Sequence, residues 1–357
     1  MTLFDDLGFR WNRSVVPTVV PTHSVERACY RFHRMLPEYV WDAGVLEGNP
    51  FTFPEVKTLL DGVTVGGHKL SDHEQILRLA DSSKYLLALV KDGRFELNKS
   101  TFCELNARVA KEEGLEWGHF RGEGEETNVT PAVALGEHGR YNPLPTKPGA
   151  PELNRVFEKG LTALNEYAPD PFEKATAFFL FGALQQFFFD GNKRTSRFMM
   201  NGILMSSGID AISIPAAEAQ AFNEKMVRFY LSKDATEMMA FLVSLHPEVE
   251  EIYRLNPGLT KDLSERPLQK RQEPDNSPSI EGVNPNTESG RYTGKVIQVD
   301  THFVYQDHGK EIVRHERERF VSVPAPGDYV RITYRDGQMT AERVPDTSRT
   351  RTNDRGR

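Results

Sequence analysis

The chain has 357 residues, a hydrophobic fraction of 38% and a formal net charge of −7. That length suits two or three domains, and the apolar fraction allows a sizeable core. The mild acidity argues against bulk nucleic-acid binding, and two cysteines, Cys29 and Cys103, at no metal or redox spacing point to reduced thiols in a cytoplasmic protein. Asp5 and Asp6 stand where a signal peptide would be apolar. The most apolar run, around Phe178 to Phe189, is broken by Gln185 and Gln186 and is too short to span a bilayer.

Residues 1–22 read as irregular, with prolines at 17 and 21. Ser24 is a good N-cap for a helix that carries Val25, Ala28, Tyr30, Phe32 and Leu36 up to a break at Pro37. The next helix ends in Gly48-Asn49-Pro50, ordinary C-cap chemistry that leaves Glu47 in a last turn. Residues 55–92 read as helices with a break between Gly62 and Gly67, and residues 96–113 as another with Leu97, Phe102, Leu105 and Val109 on its apolar face. Residues 115–147 have no helical period and are rich in Gly, Pro and β-branched residues.

Asp170-Pro171 opens a long helix, with Asp as N-cap and Pro in the first turn. It is apolar nearly all round, as a central core helix should be. It leads into Gln185-Gln186-Phe187-Phe188-Phe189-Asp190-Gly191-Asn192-Lys193-Arg194-Thr195-Ser196-Arg197, and a second apolar helix follows. Gly191 allows a tight turn, and the helix that starts there aims free N–H groups and its positive end at one spot. Arg194 and Arg197, three apart, add permanent charge. Asp190 places a carboxylate beside them, and carboxylate plus phosphate oxygens is the usual way to hold Mg²⁺. The residues therefore read as a di- or triphosphate and metal site. A plain interhelical turn with solvated arginines is the alternative.

Residues 215–245 give further amphipathic helices, with Phe222, Met226, Phe229, Tyr230, Met238 and Phe241 as core positions. Residues 256–290 are polar and Pro-rich, as in a flexible linker. Residues 291–344 alternate like strands, with turns at Gly309, Gly327 and Asp336-Gly337, and predict a small barrel or half-barrel of about five strands. Phe303, Tyr305 and Tyr334 there suit core packing better than base stacking. The tail 345–357 is Arg-rich and expected to be disordered.

Phe188-Phe189-Asp190-Gly191-Asn192-Lys193-Arg194-x-x-Arg197 resembles the active-site loop of the Fic/Fido family. The resemblance covers roughly residues 40–245. It implies a mainly α, Fic/Fido helical fold, with 115–147 as a β-hairpin flap that holds a target segment by strand addition. It implies ATP and Mg²⁺ as cofactors and transfer of AMP to a Ser, Thr or Tyr hydroxyl of a target protein. Asp190 would hold the metal. Gly191, Asn192, Lys193, Arg194 and Arg197 would bind nucleotide. The sequence departs from the family at Gln186, which stands at the place of the catalytic His, and at Phe187, which stands where Pro is common. Glu47-Gly48 resembles the end of the family's N-terminal inhibitory helix, whose Glu reaches the second arginine of the loop, although Ala43 replaces the expected Ser/Thr. His119 and His138 are the other histidines near the flap that a missing base brings to mind.

Three functions follow from that resemblance. One is weak or altered AMP transfer. Another is a pseudoenzyme that binds a partner, in a plasmid-linked toxin, antitoxin or effector role. The third is phosphotransfer, because Lys193 is similar to the Doc toxins' residue there. The C-terminal segment resembles the small KfrB-type β-domains, and contact with nucleic acid is expected only from it or from the tail. The expected organisation is an N-terminal helical region at 1–95, a Fic/Fido core at 96–250, the linker, the β-domain and the tail.

Overall fold

The computed structural model describes residues 3–259, 282–299, 303–309, 311–320, 323–335 and 338–344. The chain divides into two compact units, residues 1–267 and 268–357. Most of the expected linker (260–281), the tail 345–357 and the turn Asp336-Gly337 lie outside the described residues.

The first unit is helical. Its elements are α1 (Leu3–Leu7), α2 (Val25–Arg34), α3 (Leu36–Leu46), α4 (Phe53–Leu60), α5 (Leu70–Lys91) and α6 (Lys99–Val109), then a short hairpin of β1 (Val133–Ala134) and β2 (Arg140–Tyr141). After the hairpin come α7 (Pro151–Tyr167), α8 (Pro171–Gln185), α9 (Asn192–Ser206), α10 (Ala219–Ser232), α11 (Thr236–Ser244) and α12 (Val249–Leu255). The caps work as the sequence suggests: the Ser24 side chain accepts from Arg27 N, and that of Asp170 from Glu173 N. Pro37 does not end a helix but sits in the first turn of α3, where its missing N–H costs nothing. Residues 3–22 are not simply irregular. Leu3, Leu7, Phe9 and Trp11 are buried, and the Trp11 indole donates to Glu173 Oε1 at 2.9 Å.

Helix α8 lies at the centre, with every residue from Phe172 to Leu184 buried except Lys174. It packs closely on α9: a Cβ on Gly182 would stand 2.1 Å from Ser196 Oγ, so only glycine allows the approach. Phenylalanines 102, 120, 157, 178, 181, 187 and 188 interlock around it, with Phe102 and Phe188 4.8 Å apart edge to face and Phe120 stacked on Phe187 at 4.8 Å. A smaller apolar cluster forms separately between α3, α4 and α5 from Leu36, Val40, Phe51, Val56, Leu59, Ile76, Leu79 and Ala80. No helix among the described residues is long and apolar enough to cross a membrane.

The second unit is an antiparallel sheet of β3 (Arg291–Val299), β4 (Phe303–Asp307), β5 (Ile312–Glu316), β6 (Tyr329–Arg335) and β7 (Gln338–Arg343), in the order β5-β4-β3-β6-β7. The five strands match the expectation, but the sheet is open and not closed into a barrel. Strands β5 and β7 stand at opposite edges, and β7 exposes nearly all its residues, so it has no second buried face to wrap onto a partner. Val296, Val304, Val330, Ile332 and Tyr334 form the core. Tyr305 and Tyr334 are buried, as core packing requires. Tyr334 Oη bonds His315 Nδ1 at 2.9 Å, and His315 Nε2 bonds Gln306 Oε1 at 3.2 Å. Burial pushes His315 down to about 4, so this chain is a neutral, structural one.

Candidate functional site

The loop between α8 and α9 is over-determined by hydrogen bonds. Gln186 ends α8 in the left-handed region (φ 50°), a conformation that costs a non-glycine residue about 1–3 kcal/mol unless its surroundings fix it. Its Nε2 donates to Ala183 O at 2.6 Å, and its Oε1 accepts from Asn192 Nδ2 at 3.1 Å. Its carbonyl accepts from Arg121 Nε at 2.6 Å, and the backbone N–H of Arg121 donates to Phe187 O at 2.9 Å. Arg121 is fully buried and gives its other nitrogens to Thr146 Oγ1 and Leu144 O. Burial lowers its pKa to about 10. Asn192 staples the turn from the other side: its Oδ1 accepts from Phe188 N at 2.9 Å, and its Nδ2 donates to Phe188 O at 2.8 Å. The Asn192 side chain thus serves the loop, and what it offers an anion is its backbone N–H.

Gly191 has φ 73°, and a Cβ there would stand 2.9 Å from that of Ala110, so both conformation and space demand glycine. Helix α9 begins here without a side-chain cap among the described residues, which leaves its first-turn N–H groups facing the loop. Asp190 is half-exposed. Its Oδ1 accepts from Gly191 N and lies 3.1 Å from Arg194 Nη2, while its carbonyl accepts from Asn106 Nδ2 at 3.0 Å. Lys193 is partly exposed on the same turn.

Arg194 and Arg197 do not point into open water. Their side chains are 4% and 11% exposed, and both converge on Glu47 at the C-cap of α3. Glu47 Oε1 lies 3.4 Å from Arg197 Nη2, and its Oε2 lies 3.7 Å from Arg194 Nε. Arg194 also meets Glu113 Oε2 at 2.5 Å through Nη1, so each of its three nitrogens faces a different carboxylate. Burial opposes the charge of Arg194, but Glu47, Glu113 and Asp190 together more than offset it and its pKa is raised. For Arg197 burial dominates, and its pKa is lowered although Glu47 works against the shift. A cavity of about 40 Å³ lies behind the two arginines, lined by Tyr39, Val40, Ala43 and Leu46 of the first helices and by Phe198.

The hairpin sits close by. Val133 pairs with Tyr141 and Ala134 with Arg140. Tyr141 stacks on Tyr230 at 5.1 Å, and the Tyr230 hydroxyl donates to the same Ala183 carbonyl that Gln186 uses. Lys233 Nζ lies 3.6 Å from the centre of the Tyr141 ring, and burial brings its pKa down to about 8. His119 pairs with Glu116 at 3.2 Å and His138 with Glu137 at 3.7 Å, and neither pairing reaches the 186–197 loop.

The structure therefore brings Gln186, Asp190, Gly191, Asn192, Lys193, Arg194, Arg197 and Glu47 to one place. Sequence reasoning missed Glu113, Arg121, Tyr230 and Lys233 as neighbours of that place. A buried arginine between two glycines, Gly118-x-x-Arg121-Gly122, was the one local hint. Chemically, the site is two buried guanidiniums beside an uncapped helix start, filled by carboxylates where a polyanion would fit.

The Fic/DOC family model matches residues 96–204, and the KfrB domain model matches residues 291–343. Among curated proteins, the protein adenylyltransferase Fic of Drosophila virilis is 23% identical over 255 residues, covering 64% of this chain and 50% of the relative. That of Drosophila ananassae is 26% identical over 188 residues, covering 52% of this chain and 35% of the relative. The chain thus spans about half or less of the length of these relatives. Among solved structures, a Fic domain containing signaling protein from Bacteroides thetaiotaomicron gives a TM-score of 0.49 at 18% identity, covering 73% of this chain and 92% of that one. Fic-1 from C. elegans gives 0.49 at 19% identity, covering 67% and 71%.

Proposed function

From a chain with a Fic/DOC family domain at residues 96–204 and a KfrB domain at 291–343, we propose a nucleotide-binding protein that transfers AMP from ATP to a hydroxyl of a target protein, weakly or in altered form. The observation that supports this best is Glu47, whose carboxylate bridges Arg194 and Arg197 in a buried setting. A carboxylate held by two guanidiniums occupies the fork that a phosphate would take. When Glu47 withdraws, both arginines are left to face phosphate oxygens. Asn192 and Lys193 add backbone N–H groups, and Gly191 adds its own once Asp190 Oδ1, which now accepts from it, turns to the metal. Asp190, a half-exposed carboxylate beside that helix start, is the residue to hold Mg²⁺, which when bound supplies neutralisation of phosphate charge.

Gln186 stands where a proton acceptor is needed. Its amide can orient a hydroxyl but takes up no proton near neutral pH. Without a general base, transfer falls by on the order of 10²–10⁴. A second reading, a binding module without catalysis, is favoured by one observation: both ends of the Gln186 amide are bonded inside the loop, to Ala183 and Asn192.

Calorimetry with ATP and Mg²⁺ tests the nucleotide reading. Glu47→Gly is expected to bind at least about tenfold more tightly than the wild type, as loss of one charge-assisted contact of about 1.5 kcal/mol would give. If neither protein binds, the nucleotide reading fails and the scaffold role remains. Labelled-ATP transfer by the Glu47→Gly, Gln186→His variant then separates the two readings. Label on a lysate protein supports a disabled transferase, and none supports the binding module. Mass spectrometry of the product distinguishes an AMP adduct from the phosphate that Doc-like transfer would leave.

A further inference from the structure

A second cluster of charged groups lies away from the loop. His23 just ahead of α2, Asp210 after α9 and Glu248 just ahead of α12 each offer one donor atom, and these atoms lie within 4.8 Å of one another. His23 Nε2 is 2.8 Å from Glu248 Oε2. The three residues come from segments far apart in the sequence, so the fold brings them together and a local turn does not.

A buried, unsatisfied carboxylate marks the place. Asp210 is 1% exposed, and neither carboxylate oxygen has a hydrogen-bond partner among the described residues. Arg31 Nη1 stands 3.0 Å from Oδ2 as an ion pair but out of hydrogen-bond alignment. His246, 2% exposed, accepts from Glu248 N through Nδ1 at 3.1 Å, which puts the ring proton of the neutral form on Nε2. That Nε2 is buried and turned toward the Asp210 backbone, without a well-aligned hydrogen bond. Burial raises the pKa of Asp210 and lowers that of His246 to about 4; Glu248 and the Asp210 backbone oppose the second shift, and Arg31 and His23 add to it. Buried polar atoms without partners are rare, and they call for an ion or a water.

We propose that His23, Asp210 and Glu248 bind a divalent transition-metal ion, zinc in the first place. An imidazole and two carboxylates are a suitable donor set for zinc, with water as a fourth ligand. The two carboxylates balance the charge of the ion. Arg27, 3.3 Å from Glu248 Oε1, and Arg31 are the competitors, but the side chain of each is 40% exposed, and they turn to solvent when the ion enters. The ion would clamp the start of α2 to the segments that follow α9 and precede α12. Because α2 runs directly into α3, the clamp would anchor the N-terminal helices independently of any nucleotide.

The test uses the full chain, stripped with chelator, dialysed against Zn²⁺ and analysed for bound metal, with thermal unfolding followed alongside. The wild type is expected to hold one equivalent and to melt at a higher temperature with zinc. Asp190→Ala, which alters the proposed nucleotide-metal residue, is expected to do the same. His23→Gln is expected to lose at least about tenfold in zinc affinity, since losing a ligand costs no less than losing an outer-shell partner. The His23 side chain is partly exposed, so this variant should melt like the metal-free wild type. Asp210→Asn should lose binding too. The proposal is overturned if the wild type takes up no stoichiometric zinc, which leaves ion pairs and a buried water, or if His23→Gln keeps a full equivalent, or if Asp190→Ala is the variant that loses it.

Discussion

Glu113 offers the sharpest test of how the arginines are controlled. Its Oε2 lies 2.5 Å from Arg194 Nη1, and its Oε1 lies 3.5 Å from Arg78 Nη1. Both carboxylate and guanidinium are largely buried, with side chains 17% and 4% exposed, so solvent screens the pair little. Gross attraction between unit charges about 3 Å apart at an effective dielectric of 20 is about 5 kcal/mol. Desolvation removes most of that, and a charge-assisted hydrogen bond keeps about 1.5–3 kcal/mol net. Glu113→Gln retains the shape and one acceptor but removes the charge. In the Glu47→Gly background it should free Arg194 for phosphate and tighten ATP·Mg²⁺ binding about tenfold, the equivalent of about 1.4 kcal/mol, measured by calorimetry. It should also lower unfolding stability by about 1–2 kcal/mol, because Arg78 and Arg194 each lose a counter-charge. Weaker nucleotide binding in the double variant would refute the reasoning and make Glu113 a residue that orients Arg194 and does not compete for it.

Two further outcomes follow from the surrounding shell. Arg121→Met removes the donors to Gln186 O, Thr146 Oγ1 and Leu144 O at once, and should cost about 3–5 kcal/mol in urea unfolding; a loss under about 1 kcal/mol would mean that water replaces the guanidinium. Lys233 has a folded pKa of about 8 against 10.5 for the free group, so the unfolded chain binds more protons between those values. Stability should therefore rise as pH increases from about 8 to about 10.5, a slope that Lys233→Met abolishes in thermal melts and the wild type keeps.

The elements that build the site were legible because their signals are local. Asp170 and Pro171 start α8, which runs 15 residues to Gln186, while Gly191 starts α9 and Gly48-Asn49-Pro50 ends α3 after Glu47, the last two within about one turn of the residues they position. Arg121 and Glu113 were not legible in the same way. Their partners lie 65 and 81 positions away, and an arginine bonded to carbonyls leaves no charge pattern to read. The strands of the second unit showed in their alternation, but closure depends on whether the edge strands find each other, which no single strand encodes. The break expected at Pro37 falls two residues earlier, at Met35, because a proline is tolerated in the first turn of a helix and so lies just inside the next one.

Helix α3, which carries Glu47, is held at two places: Leu36 and Val40 pack in the small cluster with α4 and α5, and Leu46 packs in the main core with the phenylalanines that hold the loop. The two can open with different free energies. Sub-global melting of the lesser cluster would loosen Glu47 from the arginines while the loop between α8 and α9 stays folded. The ease with which the two guanidiniums are uncovered would then depend in part on aliphatic contacts around Ile76 and Leu79, far from the loop in sequence.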